Sequence, residues 1–318
     1  MSGDEDTDEI PLYRRNFFRL LGGTIVLGTL VSMVDEEPPD FSSEVSELQN
    51  LAQTIDSTDL RDPQNNSMLQ SSIATTIESV NSSLSEKEIE PTGKTPSSTP
   101  AVGASNINQA LEYYQELQQT LDEGESLSGK IESREINTLN SEYFNGQSNQ
   151  DRNLPNVESS ISKFSKTVAT HTRSEWPPST QKLLPDLDRV SSRLNRQRAI
   201  YKKHADMQER FLKVILSLNS GIDAFERSSF DSAGRNFQRA NNKASVQISD
   251  SLKDYKVTSY SLSLGNYSQI FRLYRQAASN MAAACAEGMS REERNQKIDL
   301  GIKKQFKARD IFAGGVSF

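Results

Sequence analysis

Between Leu187 and Phe225 the chain steps through Leu187, Val190, Leu194, Gln197, Tyr201, His204, Gln208, Phe211, Ile215, Leu218, Ile222 and Phe225, alternating by three and four residues throughout. A seven-residue repeat of this kind keeps one seam of an α-helix turned toward a partner. The spacing predicts a single long helix beginning near Pro185. Its seam is apolar at both ends and polar in the middle, so a bundle or antiparallel hairpin partly uncovered at Gln197–Gln208 is expected. Strand-like alternation stands out nowhere. The expected fold is all-α: a helical bundle or helical-hairpin array behind an N-terminal signal or anchor helix, with a disordered Pro/Ser/Thr linker.

Composition excludes several chemistries. The chain has 318 residues, 34% of them hydrophobic, with one cysteine, Cys285, and two histidines, His171 and His204. An internal disulfide is ruled out, as are a zinc site of four cysteines, one of two cysteines and two histidines, and a three-histidine metal site. Charge divides the chain in two. Residues 1–150 carry 8 basic and 26 acidic side chains, whereas residues 151–318 carry 28 and 17. An acidic module thus precedes a basic one, and the two either compensate each other or meet oppositely charged partners.

The N-terminus reads as an address. Tyr13-Arg14-Arg15-Asn16-Phe17-Phe18-Arg19 leads a charge-free run from Leu20 to Val34, which Asp35, Glu36, Glu37 and two prolines end. Over its first 35 residues the chain resembles twin-arginine (Tat) signals, with Arg14 and Arg15 as the pair and Phe17 and Phe18 as the apolar positions. The resemblance implies export of a folded protein by the Tat translocase. With the acidic balance it points to a haloarchaeal source. Arginines on the N-terminal flank hold that side in the cytoplasm. No Ala-x-Ala precedes a cleavage point, so residues 17–34 are expected to stay as a membrane anchor. The bulk of the chain then lies outside the cytoplasmic membrane, or is secreted if the segment is cut.

Behind this segment, residues 36–90 form a Ser-rich, acidic, partly disordered helical region striped by Val45, Leu48, Ala52 and Ile55 and then by Leu69, Ile73, Ile77, Val80 and Leu84. Their packing partner is left open. Residues 91–106 are the Pro/Ser/Thr linker. Residues 107–318 form the helical-bundle ectodomain, basic from about 151. Ile107, Leu111, Tyr114, Leu117 and Leu121 mark one helix. Ile131, Leu139, Tyr143 and Phe144 suggest another, and Val157, Ile161, Phe164 and Val168 a third, closed at Trp176-Pro177-Pro178. Gly288 is placed as a helix C-cap, Ser290-Arg291-Glu292-Glu293 as a capping box, and Ile298, Ile302 and Phe306 as the stripe of the last helix.

Around residues 215–245 the small Gly221, the aromatic Phe230 and then Ala233, Phe237 and Ala240 resemble a tetratricopeptide (TPR) helix pair. The resemblance implies a hairpin in which small residues allow close approach and aromatics fill the gap. A weaker echo runs from Gly265 through Tyr267, Ile270, Tyr274 and Ala277. An ordinary helical hairpin explains the same residues.

No catalytic, cofactor or metal residues are assigned, and no enzyme activity is expected. Gly93-Lys94-Thr95 lacks the leading glycine of a phosphate loop, and Ser160-x-x-Lys163 lacks partner motifs. Arg189, Arg193, Arg196, Lys202 and Lys203, on the long helix, are the candidate face for a protein or an anionic surface partner. Nucleic acid is disfavoured, because Tyr201 alone offers a stacking ring there. Asn65, Asn81 and Asn266 head glycosylation sequons. The functional expectation is a membrane-anchored, outward-facing interaction or structural module; the alternatives are a secreted enzyme of unrecognised class and a binder of an anionic polymer or lipid.

Overall fold

A computed structural model describes residues 40–62, 65–87, 103–140, 157–171 and 176–315. They form nine α-helices with no strand among the described residues: α1 (Ser42–Ser57), α2 (Asn66–Glu86), α3 (Ala104–Asn140), α4 (Glu158–His171), α5 (Pro178–Gln181), α6 (Leu187–Glu226), α7 (Phe230–Lys243), α8 (Leu264–Ala283) and α9 (Arg291–Gly315). The diarginine motif, the apolar run and residues 91–102 of the linker lie outside the described residues. Within the described residues no helix is long and apolar enough to cross a membrane. The described residues, from Asp40 onward, form a single compact unit.

The predicted long helix is α6, 40 residues in length and on the order of 60 Å long. Asp186 caps it by accepting from the Arg189 amide at 3.0 Å. Its two ends serve two apolar cores. Val190, Leu194, Ile200 and Tyr201 belong to the first, with Leu48, Ile55, Leu69, Ile73, Val80, Leu117, Leu121 and Phe164. Phe211, Ile215 and Leu218 belong to the second, with Phe237, Tyr267, Phe271, Tyr274, Met281, Ala308 and Phe312. The Ser-rich helices α1 and α2 therefore find their partners in α3, α4 and α6.

Hydrogen bonds give the helix directions in the first core. The Tyr114 hydroxyl donates to the Leu183 carbonyl just ahead of α6, a Cβ on Gly124 would lie 3.3 Å from the Tyr201 hydroxyl on α6, and Gln208 Nε2 donates to the Ile131 carbonyl. Increasing numbers on α3 thus meet increasing numbers on α6, and the two run parallel. Lys130 reaches Ser160 while Thr167 reaches Glu123, so α4 runs back along α3. At the start of α1, Glu44 is 1% exposed and accepts from Ser83 Oγ and from Lys87 Nζ at 2.5 Å, which fastens α1 to the far end of α2. Burial alone would raise this carboxyl. The Lys87 and Ser83 hydrogen bonds outweigh it and hold the group at about 2.

The stripe of α3 runs unbroken through Leu127 and Ile131, so one 37-residue helix replaces the two expected. The predicted opening at Gln197–Gln208 is closed: Gln197, His204 and Gln208 are all buried. Phe306 does not stripe the last helix but is 58% exposed, and α9 turns Gly301, Ala308 and Phe312 inward. Gly288 has a positive φ of 76°, yet it sits in the turn before α9, because α8 has already closed at Ala284. The Ser290–Glu293 capping box is formed, with Glu293 N donating to Ser290 Oγ and Ser290 N to the Glu293 carboxylate.

α6 and α7 form an antiparallel hairpin around Gly221 and Phe237, the two residues on which the close approach was expected. A Cβ on Gly221 would run into the Phe237 ring. The turn is a Schellman closure: Ser229 N donates to the Ala224 carbonyl and Ser228 N to that of Phe225, with Ser228 at φ 59°. The weaker echo is a single helix. Tyr267, Ile270, Tyr274 and Ala277 all lie on α8, and the chain before it, from Ser245 to Ser263, is irregular apart from one short turn of 3-10 helix.

Two outcomes follow from this packing. Gly221→Ala forces a methyl into the fully buried Phe237 ring and is expected to cost about 1–2 kcal/mol, despite the better helix propensity of alanine. Gly129→Ala, at an exposed site of α3 with nothing within 4 Å of the added carbon, is expected to gain about 0.5–1 kcal/mol. Chemical denaturation reads both. The depressed Glu44 carboxyl contributes stability that is fully present above the ordinary glutamate value of 4.5 and is lost as pH falls through about 2. The melting-temperature advantage of the native chain over Glu44→Gln is expected to be largest at about pH 6 and to vanish as pH approaches about 2.

Candidate functional site

The basic residues of α6 divide between structural work and solvent. Arg193 Nη1 donates to the carbonyls of Ile55, Asp56 and Thr58 at 2.7–3.2 Å, closing the C-terminal end of α1. Burial pulls the guanidinium below its ordinary value, helped by Arg189. Arg196 Nη2 donates to the carbonyl and hydroxyl of Ser251, tying the irregular segment after α7 to α6. Arg189 and Lys202 are exposed and Lys203 is half-buried. The face named from the sequence is therefore not one continuous free surface: its two central arginines hold the fold.

The polar middle of α6 is an internal layer. Glu135, fully buried on α3, accepts from the Tyr267 hydroxyl at 2.8 Å and from the Leu262 amide at 3.0 Å. His204 Nδ1 stands 3.9 Å from the same carboxylate, and its Nε2 is 3.4 Å from the Tyr255 carbonyl. Burial, then the Glu135 charge, pushes the Tyr267 phenol far above its ordinary value, which keeps it a donor. A few turns away Gln197 Nε2 donates to Asn66 Oδ1 at 2.8 Å. Gly124 makes room for this second layer, since a Cβ there would lie 3.0 Å from Asn66 Nδ2 and 3.3 Å from the Tyr201 hydroxyl. Carboxylate, imidazole and phenol meet here, but each of these side chains is sealed from solvent. The arrangement orders helices.

The surface offers a different feature. A cleft of about 550 Å³ lies between α8 and the segment from Ala244 to Asp254. One wall is a stripe of α8: Gly265, Ser268, Gln269, Arg272 and Arg275. The other includes Ala244, Val246, Lys253 and Asp254. Gly265 N donates to the Lys253 carbonyl at 2.7 Å, and a Cβ on Gly265 would lie 3.1 Å from that oxygen. Glycine lets the segment close onto the start of α8. Ser263 and Asn266 form a reciprocal capping box beside it. Sequence reasoning missed this cleft. The Arg272–Arg275 spacing was visible, but the residues opposite them follow no periodic pattern.

The remaining sequence candidates are dispersed. Lys163 pairs with Glu123 at 3.2 Å and Ser160 accepts from Lys130, so the two residues of the Ser-x-x-Lys pattern are engaged separately. Cys285 is half-buried, with burial raising its thiol. No cluster of three metal-capable side chains occurs among the described residues. Of the sequons, Asn81 is exposed on α2, Asn65 donates to the Asp59 carbonyl, and Asn266 is occupied by its capping box. The side chain of His171 lies outside the described residues. The chain matches no protein-family model, no curated protein and no solved structure.

Glu135→Ala strips the Tyr267 hydroxyl and the Leu262 amide of their acceptor inside the core. It is expected to lower unfolding free energy by about 3 kcal/mol or more, while Glu135→Gln, which keeps one acceptor oxygen, costs distinctly less in the same urea titration.

Proposed function

We propose that the chain is a membrane-anchored, outward-facing helical interaction module, carried across the membrane by the Tat translocase and kept there by residues 17–34. The observation that carries this reading is the order of features. Arg14 and Arg15, the charge-free run to Val34 and an acidic stop stand directly before a compact helical unit that begins at Asp40. A carrier for folded cargo suits a body of this kind, in which helices far apart in sequence share their cores. The buried polar layers serve to order the helices, which supports an interaction or structural role over chemistry at those side chains. Partners would be proteins or anionic surfaces meeting the basic second half of the chain.

Cell fractionation with an N-terminal mass measurement tests the reading. The intact chain is expected in the membrane fraction, with its body open to protease added from outside. Arg14→Lys together with Arg15→Lys is expected to leave it inside the cell. An unchanged exterior location in that double variant, or intact native chain free in the cytosol, would overturn the assignment. A mature N-terminus beyond Val34 would replace the anchor by secretion.

A further inference from the structure

We propose that the cleft between α8 and residues 244–254 binds a phosphorylated ligand, with Arg272 and Arg275 as its phosphate contacts and Lys253 on the facing wall. The two arginines are three residues apart on one face of α8, so their guanidinium groups open on the same space. Both are exposed, and neither makes a hydrogen bond or an ion pair among the described residues. Like charges placed side by side on a helix repel, and a bound anion relieves that repulsion. Lys253 adds a third cation and is balanced by Asp250 outside the cleft. Among the described residues Asp254 is the only carboxylate in the lining, so the excess charge there is positive. Guanidinium forks match phosphate oxygens with paired hydrogen bonds.

The site is built rather than incidental. Its volume, about 550 Å³, is that of a small-molecule pocket. The Gly265–Lys253 hydrogen bond pins one wall to the other, so the backbone that carries the cations is in place without ligand. Ser268 and Gln269 supply neutral hydrogen-bonding groups between the charges. The first-turn amides of α8 are already spent: Leu264 N on Tyr255, Gly265 N on Lys253 and Asn266 N on Ser263. Recognition therefore falls to side chains, where substitution can test it. It does not depend on where the protein resides.

The full chain in detergent solution is titrated by calorimetry with inorganic pyrophosphate and, separately, with a short-chain soluble phosphatidylglycerol. Saturable binding of at least one probe is expected, weakening as salt rises. Arg272→Gln with Arg275→Gln is expected to weaken it about tenfold or more. Ser268→Asp, which places a negative charge in the cleft, should do the same. Lys303→Gln with Lys307→Gln, the same charge loss at exposed positions of α9 outside the lining, should leave binding within about twofold. Binding of pyrophosphate alone identifies a soluble phosphorylated ligand, and binding of the lipid alone a headgroup. Saturable binding of neither probe, or equal weakening by the α9 control, overturns the proposal. Failure of export in the diarginine variant would not touch this result, and loss of binding would not touch the location.

Discussion

The Glu135 carboxylate is the point at which two apolar cores are fastened to each other. It stands on α3, takes the Tyr267 hydroxyl from α8 and the Leu262 amide just before α8, and faces His204 on α6. Apolar packing is non-directional, so two greasy helix stripes can slide or rotate past each other at little cost. A buried carboxylate cannot slide, because every donor it loses leaves an unsatisfied group in a dry interior. The layer thus selects one relative placement of α3, α6 and α8. Gln197 and Asn66 repeat the device for α2 against α6, and Gln208 for α6 against the Ile131 carbonyl of α3.

Between these fixed layers, small residues decide how close the helices come. Gly221 takes the Phe237 ring against its α-carbon, and Gly301 takes Met281 in the same way between α9 and α8. Gly124 seats Asn66, Tyr201 and Phe164. Polar layers therefore set position along the helices, while glycines set distance between them. Arginines finish the exposed ends: Arg193 covers the last carbonyls of α1, and Arg294 reaches the Ala284 carbonyl and lies over the Phe230 ring. Ion pairs between the acidic and basic halves play a smaller part, with Lys163–Glu123 the direct Lys–carboxylate contact among the described residues.

The apolar stripes of α1, α2, α4 and α6 were legible because each is a local pattern, and Ile107, Leu111, Tyr114, Leu117 and Leu121 are all buried as the spacing required. What the pattern hid was anything supplied from a distance. Gln197, His204 and Gln208 read as an opening because their partners stand far away in sequence, on α2, on α3 and in the loop before α8. Phe306 read as core because it is large, whereas the inward face of α9 is built from the small Gly301 and Ala308 with Phe312. Ile131 and Leu139 read as the start of a separate helix, but Leu127 and Ile131 keep the stripe of α3 and the helix continues. The cleft was hidden for the same reason: one wall is periodic, and the other is an irregular segment positioned by Arg196 and Gly265.

Since α6 threads both cores and both polar layers, its residue count is frozen. One amino acid added between Tyr201 and Gln208 would turn everything downstream by about 100° and point Phe211, Ile215 and Leu218 away from their neighbours. A deletion would do so in the opposite sense. Changes in chain length are thus absorbed more easily in the connections between helices than inside this rod, which sets the spacing of everything packed along it.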